Sequence, residues 1–308
     1  MDDKLFSQPP GEASFVAVGD SFTEGLNDAA PGGGFRGWAD RLAGLLAGEY
    51  PSLRYANLAV RGKLLREIVA EQVPAAAAMS PGLVSFAGGG NDIIRPGGDP
   101  DSLAELVDAA VARLRDTGAQ VLVFTGTDPV ELPVIRLLRG RIAAYNMHLR
   151  AIADARGCYL VDLWSMRILR PVSAWSPDRL HFTAQSHQRI ALRACEVLGV
   201  PVTQDWRDPL LDGAALPDQG ALPDGGGLPD GGALSDGRPL SGGPMPGAFG
   251  APDSESRAAR LAARREDVRW AREYLAPWVN RRLHGESSSA GRSAKRPVLE
   301  VVSPPVTR

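Results

Sequence analysis

The chain has two cysteines in 308 residues, Cys158 and Cys195. Cys158 opens an apolar run and Cys195 sits in a helical pattern, so both read as free buried thiols in preference to a disulfide. No run of 18 apolar residues exists, so no transmembrane helix is expected. Met1-Asp2-Asp3-Lys4 lacks a basic region followed by an apolar stretch. No secretory signal is read there, and a cytoplasmic protein is expected. The net charge is −2, which offers no bulk electrostatic attraction for nucleic acid. Gly32-Gly33-Gly34 and Gly88-Gly89-Gly90 lack the Lys-Ser/Thr of a phosphate-binding loop.

What is present is an ordinary globular composition, 44% hydrophobic and 23% charged. Apolar runs at 14–18, 53–58, 82–87, 120–125 and 158–162 alternate with helical patterns at 36–49, 63–72, 101–117, 139–156 and 183–198. Ser102 and Glu105 read as a capping box for the third helix, and Gly118 and Gly157 as glycines closing the third and fourth. Such alternation implies βαβ crossovers and a parallel sheet with helices on both faces. The runs are nearly continuous in Val, Leu, Ala and Phe, as in strands buried on both sides.

Ser21 follows the first apolar run, at the end of a strand where open α/β sheets hold their ligands. Asp178-Arg179-Leu180-His181 lies near the last helix and puts a carboxylate and an imidazole one turn apart. A serine hydroxyl becomes a good nucleophile only when a base takes its proton and a third group orients that base. Ser21, His181 and Asp178 are the types this needs. Gly62, in Asn57-Leu58-Ala59-Val60-Arg61-Gly62, and Asn91, in Gly89-Gly90-Asn91-Asp92, follow two further apolar runs. With the Ser21 N–H they could form a three-donor oxyanion hole.

Each residue also has an ordinary explanation. Ser21 could cap a helix, Asp178 could turn the chain after Pro177, His181 could be a loop histidine, and Asn91 could cap a turn. Asp20 and Asp92 read as structural, and His187 as packing. Glu24 and Asp28 near Ser21 are the types a glycoside hydrolase pairs, but loop carboxylates are common and this reading is not favoured. The Gly-x-Ser-x-Gly elbow of α/β-hydrolases is absent around Ser21, where the chain reads Gly19-Asp20-Ser21-Phe22-Thr23.

Ser21, Gly62, Asn91 and His181, in this order and with Asp178 in D-x-x-H, resemble the four blocks of the SGNH hydrolases, the GDSL-type lipases and esterases. The resemblance spans residues 14–200, and Phe22 replaces the family's Leu. It implies a flavodoxin-like three-layer α/β/α fold with a central five-stranded parallel sheet in the order 2-1-3-4-5. It also implies a triad of Ser21, Asp178 and His181, an oxyanion hole of Ser21, Gly62 and Asn91, a small-molecule acyl ester as substrate, and neither cofactor nor metal. An acyltransferase using the same triad, and a non-catalytic binding module on a degenerate scaffold, are the alternatives.

Five segments follow from composition: an N-terminal extension over 1–13, a catalytic domain over 14–208, a linker over 209–253, a basic helix over 254–284 and a disordered tail over 285–308. The linker carries a six-residue Ala-Leu-Pro-Asp-Gly-Gly repeat, too poor in apolar residues to bury a core. Residues 254–308 hold 12 Arg or Lys against 6 Asp or Glu, a net of +6, which leaves −8 for the rest. Leu261, Val268 and Leu275 recur every seven residues, with Trp270, Trp278, Val279 and Leu283 alongside, among Arg257, Arg260, Arg264, Arg265, Arg269 and Arg272. Docking on the acidic catalytic domain is the preferred reading of this helix, and contact with a membrane surface the other.

Overall fold

The computed structural model describes residues 5–6, 12–30, 33–208, 262, 265–277, 289 and 291–302. The 209–253 linker and most of 254–264 and 278–290 lie outside these residues. Five parallel strands, β1 (Ser14–Gly19), β2 (Arg54–Asn57), β3 (Leu83–Ala87), β4 (Gln120–Phe124) and β5 (Tyr159–Val161), fall where the apolar runs place them. Their spatial order is β5-β4-β3-β1-β2, the flavodoxin-like arrangement.

The continuous apolar character of β1 follows from its period of two. Phe15 and Ala17 pack into one core and Val16 and Val18 into the other. The first core includes α2 (Trp38–Glu49) and α8 (Ala184–Leu198). The second includes α6 (Pro100–Arg115) and α7 (Arg139–Ala155). With a helical layer on each face, neither face of the strands offers a place for polar alternation. Among the described residues no helix is long and apolar enough to cross a membrane.

Three details differ from expectation. First, the sheet has a sixth strand, β6 (Arg296–Val301), antiparallel to β2 and inside the segment expected to be a disordered tail. β2 would otherwise present an unpaired edge, and an added strand satisfies it. An edge position also tolerates Pro297. β6 left little trace in the sequence because it buries little: Val298 and Val301 are 55% and 65% exposed. Second, the 63–72 helix is broken into α3 (Leu65–Glu67), a π turn (Ile68–Gln72) and α4 (Val73–Ala78), which carries a proline in its first turn. Third, α6 is capped by Asp99, whose carboxylate accepts the Ser102 N–H at 3.0 Å, and not by Ser102 itself.

In the C-terminal part, residues 265–277 are helical. The seven-residue spacing puts Val268 on the apolar face, but Val268 is 54% exposed, and of the two it is Trp270, read alongside that stripe, that is buried, at 5%. The chain also uses its N-terminal extension, where Leu5 and Phe6 are buried and Phe6 meets Tyr50 edge to face.

Candidate active site

Ser21 opens α1 (Ser21–Glu24), a single turn entered directly from β1. Asp20 caps that turn, its Oδ1 accepting the Phe22 N–H at 3.1 Å. Strand end and cap together fix the serine at the carboxyl edge of the sheet, and its own N–H is one of the free donors of a helix start. Gln72 in the π turn braces the junction from below. It accepts the Gly19 N–H at 2.8 Å and donates to the Gly19 carbonyl at 2.9 Å.

Asp178 and His181 arrive on a loop between Trp175 and Phe182, which form a β-bridge. The Ser176 N–H donates to the His181 carbonyl at 2.8 Å, and Thr183 caps α8. Within this loop the Asp178 Oδ1 accepts the N–H of Leu180 at 3.0 Å and of His181 at 3.1 Å. The Asp178 Oδ2 lies 2.7 Å from His181 Nδ1, and His181 Nε2 lies 2.9 Å from Ser21 Oγ. A carboxylate at Nδ1 keeps the proton there, so Nε2 presents its lone pair to the serine hydroxyl. Burial alone would raise the Asp178 pKa. The hydrogen bond and charge of His181, with the two backbone donors, outweigh it and hold the carboxyl below its ordinary value.

Sequence reasoning passed over Asn27, whose Nδ2 donates to Asp178 Oδ2 at 2.8 Å. Nothing near Asn27 in the sequence signals this contact, which spans 151 residues.

Gly62 and Asn91 stand differently. Gly62 has a φ of 78°, a conformation that favours glycine, and among the described residues no acceptor meets its N–H. The Asn91 amide is engaged: its Nδ2 donates to Asp20 Oδ2 at 3.2 Å and to the Lys63 carbonyl at 3.1 Å. Gly89 (φ 89°) lets the chain turn into α5 (Gly90–Ile93), which carries Asn91, next to Tyr145, whose hydroxyl donates to the Gly88 carbonyl at 3.0 Å. A Cβ at Gly89 would collide with that hydroxyl.

The other carboxylates are accounted for by partners. Glu24 binds Arg61, accepting its backbone N–H at 2.7 Å and its guanidinium, and so anchors the turn that carries Gly62. Asp28 forms a buried pair with Arg41. Neither is free to act as an acid on a substrate. Asp92 accepts the Leu65 N–H at 2.9 Å. Asp20 is pushed up to about 6, chiefly by burial, against the Phe22 N–H and the charge of His181. His187 is buried, accepts the Trp38 N–H on Nδ1 at 3.2 Å, and is pushed down to about 3 by burial, so it stays neutral beside the site. Among the described residues no three His, Cys, Asp or Glu side chains converge as metal ligands.

Ser21 and His181 face a cavity of about 240 Å³. Its walls are mostly apolar, with Leu26, Ile93, Phe124, Leu132, Ile142 and Trp175 among them. It is larger than the roughly 150 Å³ void that holds a benzene in an engineered protein.

Solved structures share this fold. An alpha/beta hydrolase enzyme from the metagenome of Lake Arreo, Spain, is 22% identical with a TM-score of 0.52, covering 61% of this chain and 95% of its own. An acetylxylan esterase from Geobacillus stearothermophilus is 20% identical with a TM-score of 0.52, covering 63% and 95%. No curated protein sequence matches the chain. Residues 17–189, more than half of the chain, match the GDSL-like lipase/acylhydrolase family and hold Ser21, Gly62, Asn91, Asp178 and His181 in one span. The protein therefore belongs to the GDSL-like lipase/acylhydrolase family.

Proposed function

We propose that the protein is a serine hydrolase that cleaves carboxylic esters through an acyl-enzyme formed on Ser21. His181 Nε2 takes the hydroxyl proton as Ser21 Oγ attacks the acyl carbonyl, and Asp178 stabilises the resulting imidazolium. The proton passes from His181 to the departing alcohol. A water then gives its proton to His181 as it attacks the acyl carbonyl, the bond from the acyl carbon to Ser21 Oγ breaks as His181 returns that proton to Ser21 Oγ, and the acid is released. The free N–H groups of Ser21 and Gly62 are the first donors to the oxyanion. Asn91 joins them by sharing or releasing one of its two present hydrogen bonds as charge builds on the oxygen.

The observation that carries this reading is the unbroken hydrogen-bonded path from Asp178 through His181 to Ser21, at 2.7 and 2.9 Å, opening on an apolar cavity. The cavity favours an ester with an apolar acyl group longer than acetyl. A series of p-nitrophenyl esters of increasing acyl length tests both points. Turnover is expected to rise from acetyl to longer acyl groups and to vanish in Ser21→Ala. Equal hydrolysis by wild type and Ser21→Ala would overturn the assignment.

A further inference from the structure

We infer that the C-terminal segment is a strap that positions the catalytic loops, with Trp270, Asp267 and Lys295 as its positioning residues. The inference rests on the hydrolase reading above. All three residues lie beyond residue 189, where the match to the family ends.

The first contact is with the loop that carries Asp178 and His181. The Trp270 indole N–H donates to the Asp178 backbone carbonyl at 2.9 Å. Asp178 is the residue whose carboxylate meets His181, and that carboxylate also accepts two N–H groups of its own loop. A shift of the Asp178 peptide therefore moves the carboxylate. The next residue, Arg179, has a φ of 52°, a left-handed conformation unfavourable for a residue with a side chain. Its guanidinium is tied to the strap twice, by an ion pair with Asp267 at 2.6 Å and by stacking over the Trp270 ring at 5.4 Å. The conformation that brings Asp178 and His181 to one side of the loop is thus held from outside it.

The second contact is with the nucleophile's turn. Lys295 Nζ donates to the Glu24 carbonyl at 2.6 Å, to the Phe35 carbonyl at 3.1 Å and to Asp40 Oδ2 at 2.5 Å. Glu24 ends α1, which Ser21 begins, and its side chain anchors Arg61 beside Gly62. β6, immediately after Lys295, pairs with β2 and fixes the lysine in place. The strap thus holds both partners of the 2.9 Å contact between His181 and Ser21. Neither Trp270 nor Lys295 lines the cavity. The strap leaves substrate space untouched, so its effect belongs in kcat and not in KM.

The test uses the full-length protein. Competent sites are counted with a fluorophosphonate, and ester turnover is measured per site in Trp270→Ala, Asp267→Ala, Asp267→Glu, Lys295→Met and, as a surface control, Val268→Ser. Trp270→Ala, Asp267→Ala and Lys295→Met are expected to lower kcat per site roughly tenfold with KM unchanged, as small misplacements of reacting groups do. Asp267→Glu restores most of the rate and Val268→Ser keeps all of it. Wild-type kcat per site in Trp270→Ala and Asp267→Ala overturns the strap, including the case where only the number of competent sites falls. If the wild type cleaves no ester, the hydrolase reading fails by itself. The strap is then judged by amide hydrogen exchange at Leu180 and His181, where faster exchange in Trp270→Ala supports it and unchanged exchange overturns it.

Discussion

The proposed nucleophile, Ser21, and its proposed base, His181, reach the same point by different means. Ser21 stands at the end of a fully buried strand, and its immediate supports, Asp20 and Gln72, are themselves buried. Asp178 and His181 stand on a loop without regular structure, each side chain 18% exposed, and the loop is held by contacts with Asn27, Asp267 and Trp270. The first arrangement is rigid because moving it would open a core. The second is rigid only as far as its hydrogen bonds hold. Burial does most of the holding in the first half, with Lys295 added from outside, and directed contacts hold the second, so the two halves should respond differently to substitution and to pH.

The largest effect tests whether the halves act as one unit. Ser21→Ala and His181→Ala are each expected to lower kcat by about 10⁶, and Asp178→Ala by about 10⁴. Combining Ser21→Ala with His181→Ala should cost no more than either alone. A double variant that loses the product of the two factors would mean that the residues act independently.

The next prediction concerns the buried half. Asp20 has its pKa raised to about 6 by burial, so the folded state holds its proton more tightly than the unfolded chain. Its contribution to stability is present in full below its unfolded value, near 3.8, and is lost as pH rises through about 6. Urea unfolding of wild type and Asp20→Asn at a series of pH values should show the variant gaining, relative to wild type, up to about 3 kcal/mol between pH 4 and pH 7.5. A pH-independent difference would show that Asp20 is ionised throughout.

Asn91→Ala sits between the halves and separates two roles. As an oxyanion donor its removal should cost about 10² in kcat, or roughly 2.7 kcal/mol, with little change in KM. As a brace of Asp20 and Lys63 alone it would lower stability by about 1 kcal/mol and leave the folded fraction fully active. Steady-state kinetics alongside thermal unfolding distinguishes the two.

The smallest effect belongs to the loop. Asn27→Ala removes one solvent-exposed hydrogen bond to the Asp178 carboxylate, for about 1 kcal/mol at most or roughly a fivefold loss in kcat. An unchanged rate would mean that the other contacts of the loop suffice without Asn27.

The legible parts of the protein are those written in short range. The apolar runs 14–18 and 82–87 became β1 (Ser14–Gly19) and β3 (Leu83–Ala87) because a strand covered on both faces must be apolar throughout. Gly118 and Gly157 close their helices at φ values of 84° and 61°, as their positions after helical patterns imply. Ser21, Asp178 and His181 could be singled out as candidates because their types suit one chemistry and D-x-x-H puts two of them one turn apart, and the fold brings Ser21 to them across 160 residues. Val268 shows the limit of such patterns: a seven-residue spacing says which residues share a helix face, but not which face finds a partner.

The sequence by itself determined the class of fold through its periodicity, and offered Ser21, His181 and Asp178 as residue types suited to the proposed nucleophile, base and orienter. Only the tertiary structure decided which donors surround them. Gln72 reaches Gly19 across 53 residues, Trp270 reaches Asp178 across 92, and Lys295 reaches Glu24 across 271. The placement of β6 on the edge of β2 was decided in the same way. A hydrogen bond or an edge pairing needs only one compatible group at the right place in space. Such groups are common in any sequence, and the fold selects among them.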